Sequence, residues 1–345
     1  MRFSNQISRF SATLLALICL LALIGSLHAQ EPTSGPVIHI FDAWARATRV
    51  TGDMDMEATA EPMTSMDMPG AAMSDIPPSA AYMTLRNAGE TPLALIAASA
   101  PLAETVEIHE TTVEDDIMRM SPVERVVILP GEDAMLEPAG LHIMLLGLRR
   151  DLLPDTAITL TLTFEPLDDD LNATGDPFEV VLGVPVRTEP PASGPAVAVS
   201  NAWARATLPG GSMDMDMPMD TDDMEAVAEP TSEAGAMPIP PAAAYMTLTN
   251  LTGSDDQLIA VSSPDSAVVE IHETEMDGDV MRMSPIEALD LPDGATVTLE
   301  PAGTHIMLLA LRRELVPGDA ILVTLTFASG AELVVGVPVL VQPPV

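Results

Sequence analysis

The chain has 345 residues, enough for two domains of about 150 residues each. It carries 51 acidic against 14 basic side chains, with no lysine, for a net charge of −37. So acidic a surface excludes nucleic acid and anionic lipid as partners and attracts cations or a basic protein, although solubility or adaptation to salt is the plainer account of most of these charges.

Residues 1–29 read as a secretory signal peptide. Arg2 and Arg9 form a basic start, Leu14 to Leu27 is an apolar run too short to span a bilayer, and Leu27-His28-Ala29 offers a small residue at the cut. An uncleaved anchor is the alternative. Cys19 lies inside the run behind Ile18, where a lipoprotein signal wants a small residue, so no lipid is expected on it. Cleavage after Ala29 leaves 12 basic against 51 acidic residues and no cysteine at all. That excludes zinc-finger, iron–sulfur and blue-copper sites, which need a thiolate, and it suits an oxidising, extracytoplasmic location, periplasmic or at the cell surface. No second apolar stretch is long enough to span a membrane after cleavage.

A short polar linker, 30–35, leads into a first domain over 36–188. Val37 to Thr48 contains Ala43-Trp44-Ala45-Arg46-Ala47-Thr48, a phrase that returns at Ala202 to Thr207. Trp44 and Trp203, one per copy, are expected in the core, with lining of a ligand site as the alternative. Residues 51–75 follow, rich in Met, Asp, Glu, Ala and Pro, with a counterpart at 210–237; together they hold twelve of the 23 methionines. Without the β-branched or aromatic content needed to bury a core, both are expected to be disordered loops.

Each ends at a proline pair and enters a strand, Ala80 to Leu85 and Ala243 to Leu248. Short alternating runs continue at Leu93–Ala98, Val106–Glu110, Val123–Leu129, Ala134–Glu137, His142–Leu146, Ala157–Phe164 and Phe178–Val186. β-Branched content and frequent turn signals indicate an all-β sandwich or barrel. Arg187 to Pro195 reads as a Pro/Gly/Ser linker with the boundary near 192. A second domain over 195–345 repeats the pattern and closes with Glu332 to Val341.

One block is written twice with its spacing intact. His109 is followed after ten residues by Met120 and after twenty-one more by His142-Ile143-Met144; the second copy has His272, Met283, His305 and Met307 at the same intervals. On a strand, residues two apart share a face, so His142 and Met144 project together while Ile143 turns to the core. Met118 and Met120, and Met281 and Met283, pair likewise around Arg119 and Arg282. His109 is expected at the end of its strand. Imidazole with thioether and no required carboxylate is a soft donor set that favours Cu(I) over Zn²⁺, Ca²⁺ or Mg²⁺. Affinity should weaken below about pH 6 as imidazoles protonate. Core packing with a satisfied histidine is the alternative, yet four of the five histidines beyond residue 29 fall in this pattern, His39 being the fifth.

The motif, together with Ala-Trp-Ala-Arg-Ala-Thr, Ala-Tyr-Met-Thr-Leu and Met-Arg-Met-Ser-Pro, resembles the periplasmic copper chaperones of the PCu(A)C type, over nearly all of both halves. The resemblance implies two tandem cupredoxin-like β domains. It implies Cu(I) held by His109, Met120, His142 and Met144, and by His272, Met283, His305 and Met307. It also implies delivery to an acceptor such as the binuclear copper site of cytochrome c oxidase subunit II. Two departures stand out: that family usually has one such domain, and a short loop where this chain has its Met-Asp segments.

Those segments are read as secondary capture loops for Cu(I), with Cu(II) open to their aspartates, or else as acidic spacers. A copper buffer relying on them, and a metal-free extracellular β-sandwich module, are the competing readings. An enzyme is disfavoured, since no nucleophile–base pattern stands out and four protein ligands leave copper no open position.

Overall fold

In the computed structural model the chain is described over residues 38–48, 76–114, 117–191, 196–207, 239–277 and 280–344. The expected signal peptide, the two Met-rich segments and the boundary near 192 lie outside the described residues. Within them every regular element is a strand, and no helix is long and apolar enough to cross a membrane.

The first half comprises β1 (Ile38–Arg46), β2 (Ser79–Asn87), β3 (Leu93–Ser99), β4 (Thr105–Glu114), β5 (Ile117–Pro122), β6 (Val126–Ile128), β7 (Asp133–Leu136), β8 (Leu141–Leu146), β9 (Ala157–Pro166) and β10 (Phe178–Arg187). The second repeats it as β11 (Val197–Arg205), β12 (Ala242–Asn250), β13 (Asp256–Ser262), β14 (Ser266–Asp277), β15 (Val280–Pro285), β16 (Leu289–Leu291), β17 (Thr296–Leu299), β18 (His305–Leu311), β19 (Ala320–Phe327) and β20 (Glu332–Leu340). The all-β architecture in two tandem copies is thus present as the sequence implies.

Each half is two facing sheets. One runs β1-β2-β8-β4-β5, with β7 beside β2; the other runs β6-β3-β9-β10, and β10 returns to lie parallel to β1. The physical cause is period-two patterning. In β9, Ile158, Leu160, Leu162 and Phe164 are buried, while Thr161 and Thr163 on the opposite side are half-buried. Ile108 and Ile143 from the facing sheet join them in the core.

Two sequence expectations need correction. Val106–Glu110 extends to Glu114, so His109 is mid-strand, because Thr111, Thr112 and Val113 continue the β-branched run into an antiparallel hairpin with β5. Val123–Leu129 is shorter than expected: it supplies only β6, the chain leaving the site sheet at Pro122 and crossing to the other.

A buried asparagine pins each half. Asn87, fully buried at the end of β2, donates from Nδ2 to the carbonyls of Thr91 (2.8 Å) and Ile128 (3.0 Å) and accepts from Gly89 N–H (3.0 Å). Asn250 repeats this with Ser254, Leu291 and Thr252. Asn87→Ala leaves the Ile128 carbonyl without that buried donor, and a loss of about 1–3 kcal/mol is expected in denaturant unfolding. Unchanged stability would show that the asparagine carries no such role.

The halves also pair with each other. Ile40 of β1 meets Val199 of β11, and Gly183 of β10 meets Gly336 of β20, both antiparallel. Each pair joins equivalent positions: Ile40 and Val199 stand four residues before their tryptophans, and both glycines open the phrase Gly-Val-Pro-Val. Each patch therefore meets its own counterpart, as in an isologous dimer. Ala157, Ala320 and Leu322 form a small cluster, with Val334 packed on it, and the Thr159 hydroxyl donates to the Asp319 carbonyl at 2.8 Å. The described residues form one compact unit.

Candidate metal centre

The repeated histidines meet as a direct cross-strand pair. His109 of β4 stands opposite His142 of β8, with ring centroids 5.8 Å apart; His272 of β14 stands opposite His305 of β18 at 5.9 Å. Register places the expected sulfurs on the same face. Met120 lies opposite Thr111, two residues along β4 from His109, and Met144 lies two along β8 from His142. Met283 opposite Thr274 and Met307 on β18 repeat this. Diagonal neighbours on adjacent strands sit about 7–8 Å apart, within reach of a flexible side chain. All eight residues named from the sequence therefore project from the outer face of their site sheets, opposite Ile108, Ile143 and their counterparts.

That face is not open to water throughout. His109, His142 and His305 are buried, His272 is half-buried, and Met120 and Met283 are 48% and 47% exposed. Trp44, Ala80 and Tyr82 form a separate cluster there with Met144 packed against it. Trp44 stacks on Tyr82 at 4.7 Å, and Tyr82 lies 6.3 Å from His142; Trp203, Tyr245 and His305 repeat the arrangement at 4.7 and 6.2 Å. The tryptophans are buried, yet they wall the candidate site rather than fill the main core. A bulge turns each one in: register shifts between Phe41 and Trp44, with Asp42 at φ 50°, and between Ser200 and Trp203, with Asn201 at φ 51°. Asp and Asn are the ordinary residues that tolerate this left-handed backbone.

Hydrogen bonding determines which nitrogens are free. His142 Nδ1 lies 3.0 Å from the Gly140 carbonyl and His305 Nδ1 3.0 Å from that of Gly303. A carbonyl only accepts, so Nδ1 carries the proton and Nε2 keeps the lone pair. His109 is held the other way: its Nε2 is 2.8 Å from Glu107 Oε2, and its buried Nδ1 has no partner. His272 copies it with Glu270 at 2.8 Å and an equally unpartnered Nδ1. His39 Nδ1 is a third such atom, but its position is Ala198 in the second copy, and it faces Arg86 across the strands instead of a histidine. Burial pushes His142 below the ordinary imidazole range, with repulsion from His109 and Arg46 adding to it against the Gly140 bond. Burial likewise raises the Tyr82 and Tyr245 phenols, so both stay protonated.

These donors suit a soft ion. The buried Nδ1 of His109 and that of His272 lack partners, thioethers share their face, and no group of three His, Cys, Asp or Glu side chains forms a hard-ion cluster among the described residues. Glu107 and Glu270 escaped the sequence reading, although Glu-Ile-His in both copies puts each carboxylate on its histidine's face.

A family model described as "Putative lipoprotein LpqE-like" matches residues 38–169 and 197–339. Putative lipoprotein Lxx21020 of Leifsonia xyli subsp. xyli (strain CTCB07) is 32% identical over 98 residues, which is 28% of this chain. The chain spans 59% of that relative's length. Among solved structures, the copper-bound PCuAC domain from PmoF2 is similar at 22% identity, covering 44% of this chain and 97% of that domain, with a TM-score of 0.30. The solution structure of CuI-DR1885 from Deinococcus radiodurans is similar at 24% identity, covering 44% and 80%, with a TM-score of 0.28. Cys19, on which the sequence leads one to expect no lipid, lies outside the described residues. Because the family model spans most of the chain and falls on both halves, the chain belongs to the LpqE-like family, with the family's β domain present twice.

Proposed function

We propose that this protein is an exported Cu(I) carrier that holds one ion in each half and yields it to an acceptor by ligand exchange. The observation that carries this reading is the paired histidine arrangement: two imidazoles per half with proton-free nitrogens, one of them buried and partnerless, on a face shared with two thioethers. His109, Met120, His142 and Met144 hold one ion; His272, Met283, His305 and Met307 hold the other. Copper is the cargo here, and carriage rather than catalysis is the role assigned.

Burial sets the division of labour. The histidines and Met144 are largely covered and anchor the ion, while half-exposed Met120 and Met283 are the ligands an incoming donor can replace first. Thioether does not titrate, so the exchange needs no proton at sulfur. The binuclear copper site of cytochrome c oxidase subunit II is the acceptor we assign, in the periplasm or at the outer face of the membrane.

The test is an anaerobic Cu(I) titration against a competing chelator, for which two tightly held ions per chain are expected; none retained would end the proposal. Trp44 and Trp203, the only tryptophans, stack on tyrosines beside the site histidines. Their emission is expected to quench as the sites fill, and Trp44→Phe should leave only the second half's signal. Emission indifferent to bound copper would place the ions elsewhere.

One observation favours a second reading, a copper buffer: the segments 51–75 and 210–237 hold twelve of the 23 methionines among many aspartates. In that case stoichiometry well exceeds two, Cu(II) binds as well, and deleting 51–75 and 213–237 removes most of the capacity. Capacity unchanged by the deletion excludes it.

A further inference from the structure

Each half of the site holds its two histidines by unlike means. His142 and His305 donate to neutral backbone carbonyls, whereas His109 and His272 are engaged by carboxylates. We infer that Glu107 and Glu270 are positioning residues of the two copper sites. Each fixes the ring and tautomer of its histidine so that the buried Nδ1 faces the ion, and each supplies the negative charge that sets the balance between Cu(I) and Cu(II). This rests on the copper reading above and deepens it.

Three observations converge on it. Period-two geometry puts Glu107 and His109 on one face of β4, and the Glu107 Oε2 to His109 Nε2 separation is 2.8 Å. With Nε2–H donating to the carboxylate, Nδ1 becomes a bare lone pair, and it is the atom that is buried without a partner. A plain surface ion pair would instead require a protonated ring, leaving an Nδ1–H donor buried with nothing to accept it, which costs about 1–3 kcal/mol. Glu107 also stands opposite Met144 across the strands, as Glu270 stands opposite Met307, so carboxylate, histidine and thioether share one face.

The second copy reproduces every one of these relations with the same atoms. The Glu107 and Glu270 side chains are 37% and 41% exposed, so their ends remain partly hydrated. A carboxylate on a ligating histidine makes the ring a stronger donor and favours the more highly charged metal ion; a carbonyl does so less. One charged and one neutral support per site leaves copper firmly anchored at His109 or His272 while the sulfur side stays exchangeable.

The experiment uses the full chain carrying His272→Ala and His305→Ala, so that one site is read, and compares it with the further variants Glu107→Gln and Glu107→Leu. Long-range proton–nitrogen NMR of the metal-free protein reports the tautomer directly. His109 should carry its proton on Nε2 when Glu107 is present, and lose that preference in Glu107→Leu. Retention of the Nε2–H form in Glu107→Leu would overturn the inference, whether or not copper binds. With copper, Glu107→Leu should weaken Cu(I) binding about 10–100-fold. Glu107→Gln, which keeps an accepting oxygen, should weaken it less and shift the copper reduction potential upward. Complete loss of the ion in Glu107→Gln would show that the carboxylate is itself a ligand and overturn the positioning role. If the parent chain holds no copper, the carrier reading falls while the tautomer result still decides what Glu107 does to His109.

Discussion

Changing His109 and His142 together to alanine should lower the Cu(I) content of the full chain from two ions to one. The reciprocal change of His272 and His305 should do the same, and all four together should leave none at these sites. The expectation follows from the register. Each pair sits directly opposite on neighbouring strands, so removing both rings takes away both imidazoles of one candidate site and leaves those of the other in place. Met120→Ala should act differently. Its side chain is about half exposed and lies diagonal to His109, so the anchoring nitrogens persist; the ion should then be held less tightly and released faster. Equilibrium competition with a chromogenic chelator, read with stopped-flow transfer to it, separates these effects. Two ions still bound with both histidines of one half gone would show that the thioether segments, and not these strands, hold the copper.

Gly183→Ala should destabilise the protein and uncouple its halves. A Cβ on Gly183 falls 2.3 Å from the carbonyl carbon of Gly336, and one on Gly336 falls 2.4 Å from that of Gly183. Overpacking costs about 1–3 kcal/mol where side chains can shift; here the obstacle is backbone, so the strands themselves must part. Parting them also strains the Thr159–Asp319 hydrogen bond and opens the Ala157, Ala320 and Leu322 cluster. Calorimetric unfolding of the parent is expected as one cooperative transition that splits or broadens toward two in the variant. Copper stoichiometry stays unchanged, because no ligand is involved. An unaltered melting profile would mean that β10 and β20 do not meet in this way.

Much of this was legible in the sequence, for identifiable reasons. His142-Ile143-Met144 could be placed because period two on a strand forces its outer residues to one face, and the structure has Ile143 buried in the core beneath them. His109 was legible as a site residue but not as a mid-strand one: Val106–Glu110 reads as a complete short strand, whereas Thr111, Thr112 and Val113 carry it on to Glu114 against β5. Trp44 and Trp203 were legible as buried; their place on the outer face depends on the bulges at Asp42 and Asn201, and a positive φ leaves little trace in a sequence. Glu107 was hidden by abundance. Among 51 acidic residues one more glutamate says little until its distance to a ring nitrogen is known. The pairing of Gly183 with Gly336 was invisible for a different reason: a closing strand has the same pattern whether its free edge faces water or another strand.

That self-matching contact has a consequence for behaviour on dilution. Two separate chains joined by such a small meeting of strands would drift apart on dilution, because their association depends on concentration. Here the partner is covalently attached, and its local concentration is set by the tether, on the order of millimolar, however dilute the bulk. The paired state is therefore independent of abundance. A single molecule carries both paired-histidine faces together, at low concentration as at high.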